Sequence, residues 1–597
     1  MSLILMEIYD HLLYTAANGH SGQIKQLLQK KDLIIDLECP DDDGRTPLIL
    51  ASKNGHAATV KLLLDNGANI EATERCHGFN SLILAVIHGH KQVVNILLER
   101  KANIEAGDFL SRTALFWAVA KGIEGMVELL LANKANVDAR DKRGLTVLWV
   151  AADSGRENIV KQLLDHDADI EFKDPRFYKT PIAVAAEKGH EEIVEMLLQR
   201  NADIETADVN GQTPLLLAAK NAQEAVVKLL LENDAQIDRE DDQGQTALAL
   251  FSVCCAAPPT KPVNMAGTMQ LLIRSHADIN TEDRHGRTPL CLAAMAGQEA
   301  KVKLLIQRGA DIEHRDDFGQ TPLALAAWYA HPEAVGVLLK NHADTESIDN
   351  NGLTPLLLAV EEHPGRLGFP FRIRAQQREV VRLLLDNKAN VDCQDKKGRN
   401  SLSIAVQWGH VEMAKLLLDS TESIQLDSAD RLGRSPIFYA AIHGHGSILS
   451  LLVSYGGLIH QKDHYAVTPL LAAVQHGHED LVRMILNLDP IQEEPSDCFG
   501  RSLSWWIQAT GNSSLRRLFT DKGIRISGIS VPEVHFNSSE RSSLSCDVCT
   551  LPMSKGIYYV CQSCYGGFKV CIPCYQFGAR CLDASHELVQ TASSAKQ

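Results

Sequence analysis

The chain has 597 residues, 45% of them hydrophobic and 22% charged, the balance of a soluble folded protein. Lys and Arg total 59 against 75 Asp and Glu, a formal charge of −16, which argues against sequence-independent nucleic-acid binding and against an anionic membrane surface as the main partner. No stretch approaches the ~18 uninterrupted apolar residues of a membrane span. The apolar start, Met1 to Met6, runs into Glu7 and Asp10 too soon for a signal-peptide core, so an intracellular setting, cytoplasmic or nuclear, is expected.

In chain order, residues 1–41 hold a degenerate unit with Thr15, Ala16, Ile24 and Leu27 but no Thr-Pro motif. From residue 42 to 523 one pattern recurs. Gly44-Arg-Thr-Pro-Leu48 returns as Gly211-Gln-Thr-Pro-Leu215, Gly286-Arg-Thr-Pro-Leu290, Gly319-Gln-Thr-Pro-Leu323 and Gly352-Leu-Thr-Pro-Leu356. Looser copies at Asn80, Thr113, Thr146, Thr180, Thr246, Asn400, Ser435, Thr468 and Ser502 fill the gaps, mostly 33 or 34 residues apart. About fourteen full copies follow the N-terminal cap.

The copy around Thr180 carries the physics of the unit. Its hydroxyl is placed to cap a helix that Pro181 starts, with Ile182, Ala185 and Ala186 as a small apolar face. Gly189-His190 breaks that helix, and a second begins at Glu191 with Ile193, Val194, Leu197 and Leu198 at helical spacing. Asn201 to Glu205 then leads to the next hairpin. Gly stands two residues before the capping position in 11 of 14 copies, as a turn with positive φ requires; Ser111, Tyr178 and Ala466 are the departures.

These elements resemble the ankyrin repeat family: Gly-x-Thr-Pro-Leu, the central Ala218-Ala219, Ala293-Ala294 and Ala326-Ala327, and the Gly55-His56, Gly89-His90 and Gly189-His190 turns. The resemblance implies a mostly α solenoid, helix-turn-helix plus a β-hairpin loop per ~33 residues, an elongated curved rod whose concave face of hairpin tips and first helices takes a protein partner. The family often has His after Thr-Pro-Leu; here Ile49, Leu216, Cys291, Ala324 or Leu357 stands there, so apolar packing must replace its polar link. The tips Asp43, His77, Arg143, Asn210, His285, Phe318, Asn351 and Lys397 vary from copy to copy on a constant frame. The net charge points to a partly basic partner.

Two insertions interrupt the period, near 254–264 and near 362–375. Both are expected to be loops; Arg366, Phe369, Phe371, Arg372 and Arg374 in the second suit either an acidic partner or a solvated loop folded back on the array. Cys254-Cys255 is expected to be a buried pair on an Ala-rich helix.

Residues 524–545 are rich in Ser and lack periodicity, as in a flexible linker. Then Cys546-x2-Cys549, Cys561-x2-Cys564, Cys571-x2-Cys574 and Cys581-x4-His586 supply eight donors. Thiolate pairs two residues apart chelate Zn²⁺ from one knuckle, and eight donors fill two tetrahedral sites. Over 546–590 the spacing resembles the ZZ-type zinc finger, with 591–597 as a tail. That resemblance implies interleaved sites: Cys546, Cys549, Cys571 and Cys574 on one metal, Cys561, Cys564, Cys581 and His586 on the other. Some ZZ fingers bind a peptide N-terminus through acids before the third Cys pair; here Gly566-Gly-Phe-Lys-Val570 has none. Fully protein-filled zinc sites leave no place for activated water.

No His-Glu-x-x-His, P-loop or deaminase signature occurs. A ring-type ubiquitin ligase would carry Cys-x-His in the middle and a final Cys-x2-Cys, and neither is present. Nucleic-acid binding through Lys555, Lys569, Arg580 and Lys596 faces Asp547, Asp583 and Glu587. The reading is a non-enzymatic interaction scaffold with two structural zinc ions and a possible second protein partner at the finger.

Overall fold

The computed structural model describes residues 2–29, 35–254, 265–361, 370–420, 424–491 and 493–523, and three strands beyond them. Two compact units, Met1–Arg284 and His285–Gln597, divide the chain. Among the described residues, thirty helices succeed one another, mostly in pairs, through both units.

In the first unit, the helix Pro214–Lys220 shows how each pair is built. Thr213 has extended backbone and its hydroxyl accepts the Leu216 amide, capping the helix, while Pro214 occupies its first turn. Pro214 through Ala219 are all buried. A helix buried on nearly every side must be narrow somewhere, and Ala218 and Ala219 let the neighbouring first helices approach. The second helices are amphipathic instead: Glu191–Gln199 buries only Ile193, Val194 and Leu197. The slots expected to replace the family's histidine, Ile49, Leu216, Cys291, Ala324 and Leu357, are all buried.

The Gly-His turns tie pair to pair. His56, His90 and His190 each place Nε2 on a backbone carbonyl of the preceding unit, those of Ala17, Lys53 and Asp153, at 3.0, 2.9 and 3.2 Å. A Cβ on Gly55 would meet the His90 ring at 2.5 Å, so glycine is needed there for space as well as for its φ of +80°.

The second unit repeats this plan, with His331 on the Met295 carbonyl at 3.0 Å and His478 on that of Ile442 at 2.8 Å. Trp506, Phe438 and Phe519 are among its fully buried side chains. Near the chain end, Ile557–Cys561 pairs antiparallel with both Lys569–Cys571 and Leu588–Ala592.

Three expectations are corrected. The loops between repeats are turns rather than regular β-hairpins: no strand forms there among the described residues, only isolated bridges such as Thr73 to Asn80 and Arg140 to Thr146. The chain reverses around one carboxylate before a ladder can grow. The second insertion is not loop throughout, because Pro370–Asp386 is one 17-residue helix that Pro370 begins. Cys254 ends the helix Ala247–Val253 as its cap and is only half-buried; Cys255 to Asn264 and residues 362–369 lie outside the described residues.

The three copies lacking glycine still take the glycine conformation: Ser111, Tyr178 and Ala466 have φ of 58°, 56° and 60°. An L-residue there carries about 1–2 kcal/mol of strain. Ala466→Gly is therefore expected to stabilise the second unit by about 1 kcal/mol after glycine's own entropy cost, read as a higher urea midpoint with an unchanged slope.

Candidate functional site

Most hairpins are organised by an aspartate five residues before the capping residue; Glu74 and Asp174 take this role six residues before Asn80 and Thr180. Asp108 Oδ1 accepts the amides of Leu110 and Arg112 at 2.8 and 2.9 Å, and Oδ2 accepts Arg112 Nε at 2.8 Å and Trp117 Nε1 at 3.1 Å. Asp141, Asp208, Asp241, Asp316, Asp349 and Asp395 hold their turns with the same pair of amide bonds. Sequence reasoning noted the glycine of this turn and missed the aspartate. Its recurrence at one offset from the Thr was the available signal.

The tips are linked to each other. Tip carbonyls accept an amide from the next hairpin: Phe109 to His77 at 2.9 Å, Lys142 to Leu110 at 2.8 Å, Val209 to Phe177 at 3.0 Å and Asp242 to Asn210 at 2.9 Å. The same link recurs in the second unit from Asp317 to His285, Asn350 to Phe318 and Arg431 to Lys397. Tip residues are thus presented in a row by main-chain bonds that do not depend on their side chains, so the side chains are free to differ.

Acids form a second series in the turns after the second helices. Glu71 accepts the Asn103 amide at 2.7 Å, Glu105 that of Asn136 at 2.7 Å and Glu171 that of Asp203 at 2.8 Å; Glu313 and Glu346 do the same for Asp344 and Asn390. Many carboxylates are therefore acceptors for the chain's own amides. The net charge of −16 is in good part a consequence of this construction and is a poor guide to the partner.

Two aspartates at the same turn position have opposite surroundings. Asp395 faces Arg399, which donates Nε at 2.9 Å and lies 2.7 Å away through Nη2. Asp463 keeps Arg434 Nε only at 3.7 Å, and its buried Oδ2 has no hydrogen bond among the described residues. Burial pushes Asp463 up from 3.8 to about 6, against the pull of Arg434 and of the Val467 and Tyr465 amides. The folded state binds this proton more tightly than the unfolded chain. The site's stabilisation is therefore complete below about pH 3.8 and lost as the pH rises through about 6. Asp463→Asn keeps the two amide bonds without the charge. Relative to it, the wild type is expected to lose up to about 3 kcal/mol between pH 4 and pH 7, measured by urea unfolding at each pH.

The eight candidate zinc donors fall outside the described residues, apart from the backbones of Cys561 and Cys571 in their strands. Cys571 pairs with Tyr558, and Cys561 lies three residues further along the same strand and pairs with Leu588. No cluster of metal-binding side chains occurs among the described residues, and no described helix is long and apolar enough to cross a membrane.

A sequence profile described as ankyrin repeats in three copies matches residues 12–108, 104–174, 169–241, 262–349 and 422–495, and one described as ankyrin repeats in many copies matches 374–418. The chain is 34% identical over 115 residues to human ankyrin repeat domain-containing protein 63, covering 19% of this chain and 30% of that protein. It is 29% identical over 112 residues to the putative ankyrin repeat protein YahD of Escherichia coli, covering 18% of this chain and 55% of that one. A 94-residue stretch, 16% of the chain, is 31% identical to 2% of the Drosophila melanogaster ankyrin repeat and KH domain-containing protein mask. The chain thus spans less than two thirds of the length of each of these relatives.

Proposed function

The chain belongs to the ankyrin repeat family, whose repeats bind protein partners, and from that premise we propose that it is a non-catalytic adaptor with two binding modules. The first is the row of hairpin tips and first helices. The observation that carries it is the main-chain linkage of the tips, from His77 to Phe109 and onward. It holds the frame constant while Asp43, His77, Arg143, Asn210 and Phe318 differ in charge, size and shape. Selection by variable groups on a rigid row is what partner recognition needs.

The second module is a ZZ-type-like finger over residues 546–590, joined by the Ser-rich segment 524–545. Its donor set fits two zinc ions. Cys546, Cys549, Cys571 and Cys574 would hold one, and Cys561, Cys564, Cys581 and His586 the other. The interleaved assignment rests on the likeness of the Cys spacing to ZZ-type fingers. Zinc bound there supplies folding free energy of about 10–16 kcal/mol per site, which a segment too small for its own apolar core requires. A second protein held there would give two-point attachment, raising the apparent affinity without new contacts on the repeats.

The adaptor reading is tested by partner capture with the full chain and with Phe109→Ser, Phe177→Ser and Phe318→Ser combined, three exposed tip side chains. Loss of the captured proteins at an unchanged melting temperature is expected. Identical capture by both proteins would refute it.

A further inference from the structure

The hairpins from His77 to Tyr178 differ from the rest of the first unit in what they expose. Phe109 and Tyr178 are 53% and 54% accessible, and Leu110 and Phe177 are exposed beside them. Behind them lies an aromatic cluster: His77 stacks on Phe79 at 5.0 Å, Phe79 meets Trp117 edge-on at 5.4 Å, and the Arg112 guanidinium lies 4.2 Å over the Trp117 ring.

The charge of this strip is opposite to that of the whole chain. Its aspartates, Asp108, Asp141 and Asp174, are buried as acceptors for the turn amides. Its cations, Arg75, Lys142, Arg143 and Arg176, are exposed. A ligand approaching these four tips therefore meets aromatic faces and guanidinium groups and few carboxylates.

Two further features mark this strip. Pro175 stands where the other hairpins supply the linking amide, and it has no N–H. The Arg143 carbonyl consequently lacks the amide that the carbonyls of His77, Leu110 and Phe177 accept, and keeps capacity for a ligand amide. Tyr178 holds a strained φ of 56° where glycine serves most copies, with its ring in solvent. Strain retained at an exposed aromatic costs stability and is explained if the ring binds something.

Building on the adaptor reading, we infer that this strip docks an extended acidic peptide segment carrying aromatic or large aliphatic anchors. Phe109 and Phe177 belong to hairpins two repeats apart. First helices stacked at about 8–10 Å put them about 16–20 Å apart. An extended chain covers that span in about 5–6 residues. The anchors of the ligand should have that spacing, with Asp or Glu between them facing Arg143 and Arg176.

The test uses the full chain and four fluorescein-labelled 12-residue peptides read by anisotropy. One is Glu-rich with two Phe six residues apart, one has the Phe two apart, one replaces Phe by Ala, and one replaces Glu by Lys. The first should bind at least tenfold more tightly than the others and weaken with added salt. Tyr178→Gly should weaken it several-fold while the melting temperature stays level or rises, and Tyr178→Phe should restore it. Arg143→Glu with Arg176→Glu should reverse the preference toward the Lys peptide. Equal binding of the four peptides, no binding of the first, or indifference to these substitutions would overturn the inference. Loss of partner capture in the tip variant above would still stand, so the two readings fail separately.

Discussion

Asp395→Ala is expected to destabilise the second unit by about 3 kcal/mol, because it leaves a buried guanidinium with only the more distant Glu361, 3.6 Å from its Nη2, as counter-charge. Asp395 closes four interactions at once: the amides of Lys397 and Arg399 at 2.8 Å each, and the Arg399 side chain at 2.9 and 2.7 Å. The Arg399 side chain is only 9% exposed and also donates to Gln407 at 2.6 Å, so it cannot swing into water without breaking a further bond. Asp395→Asn, which keeps the amide bonds and loses only the charge, should cost less. The order Ala worse than Asn is the signature of the mechanism, read from urea unfolding and from hydrogen exchange of the segment around residues 389–407. At the same turn position Asp463 should behave in the opposite sense, since its partner is too distant to offset burial. Repeats interact chiefly with their neighbours, so the loss should remain local.

The full chain is expected to bind two zinc ions, and Cys571→Ser and Cys561→Ser should each remove a different one. Structural sites of this kind contribute about 10–16 kcal/mol each, far more than any single contact in the repeats. Metal analysis should give two ions for the wild type, one for either variant and none for the double variant. Chelation should abolish near-ultraviolet signals from Tyr558 and Tyr559 while leaving the helical signal of the repeats intact. Unchanged zinc content in both variants would dismiss the assignment.

Much of the repeat architecture was legible because its signals are local. The Thr-Pro start, the Gly-His turn and the period of about 33 residues each act within a few residues of where they stand. The helices Pro181–Lys188 and Glu191–Gln199 begin where Thr180-Pro181 and Glu191 indicate. What was missed depends on closing a turn. Asp108 reads in sequence as a solvated charge, and only the reversed chain brings the Leu110 and Arg112 amides to it. Glu105 likewise becomes an acceptor only when Asn136 of the next unit arrives. Tyr178 stands where the turn calls for glycine, and it takes the glycine φ because its neighbours impose the turn. The Pro370–Asp386 helix was hidden by its insertion, which displaced it from the expected register. The candidate zinc donors rest on their spacing in the sequence, and only the backbones of Cys561 and Cys571 fall among the described residues.

The central claim, that a constant frame offers variable tips to a partner, is tested most directly by hydrogen exchange on the full chain with and without its captured protein. Added protection should fall on hairpin segments such as 107–113, 174–180 and 208–213, with second helices such as Lys91–Glu99 and Glu191–Gln199 exchanging as in the free chain. Protection confined to those second helices, with the hairpins unchanged, would contradict the account.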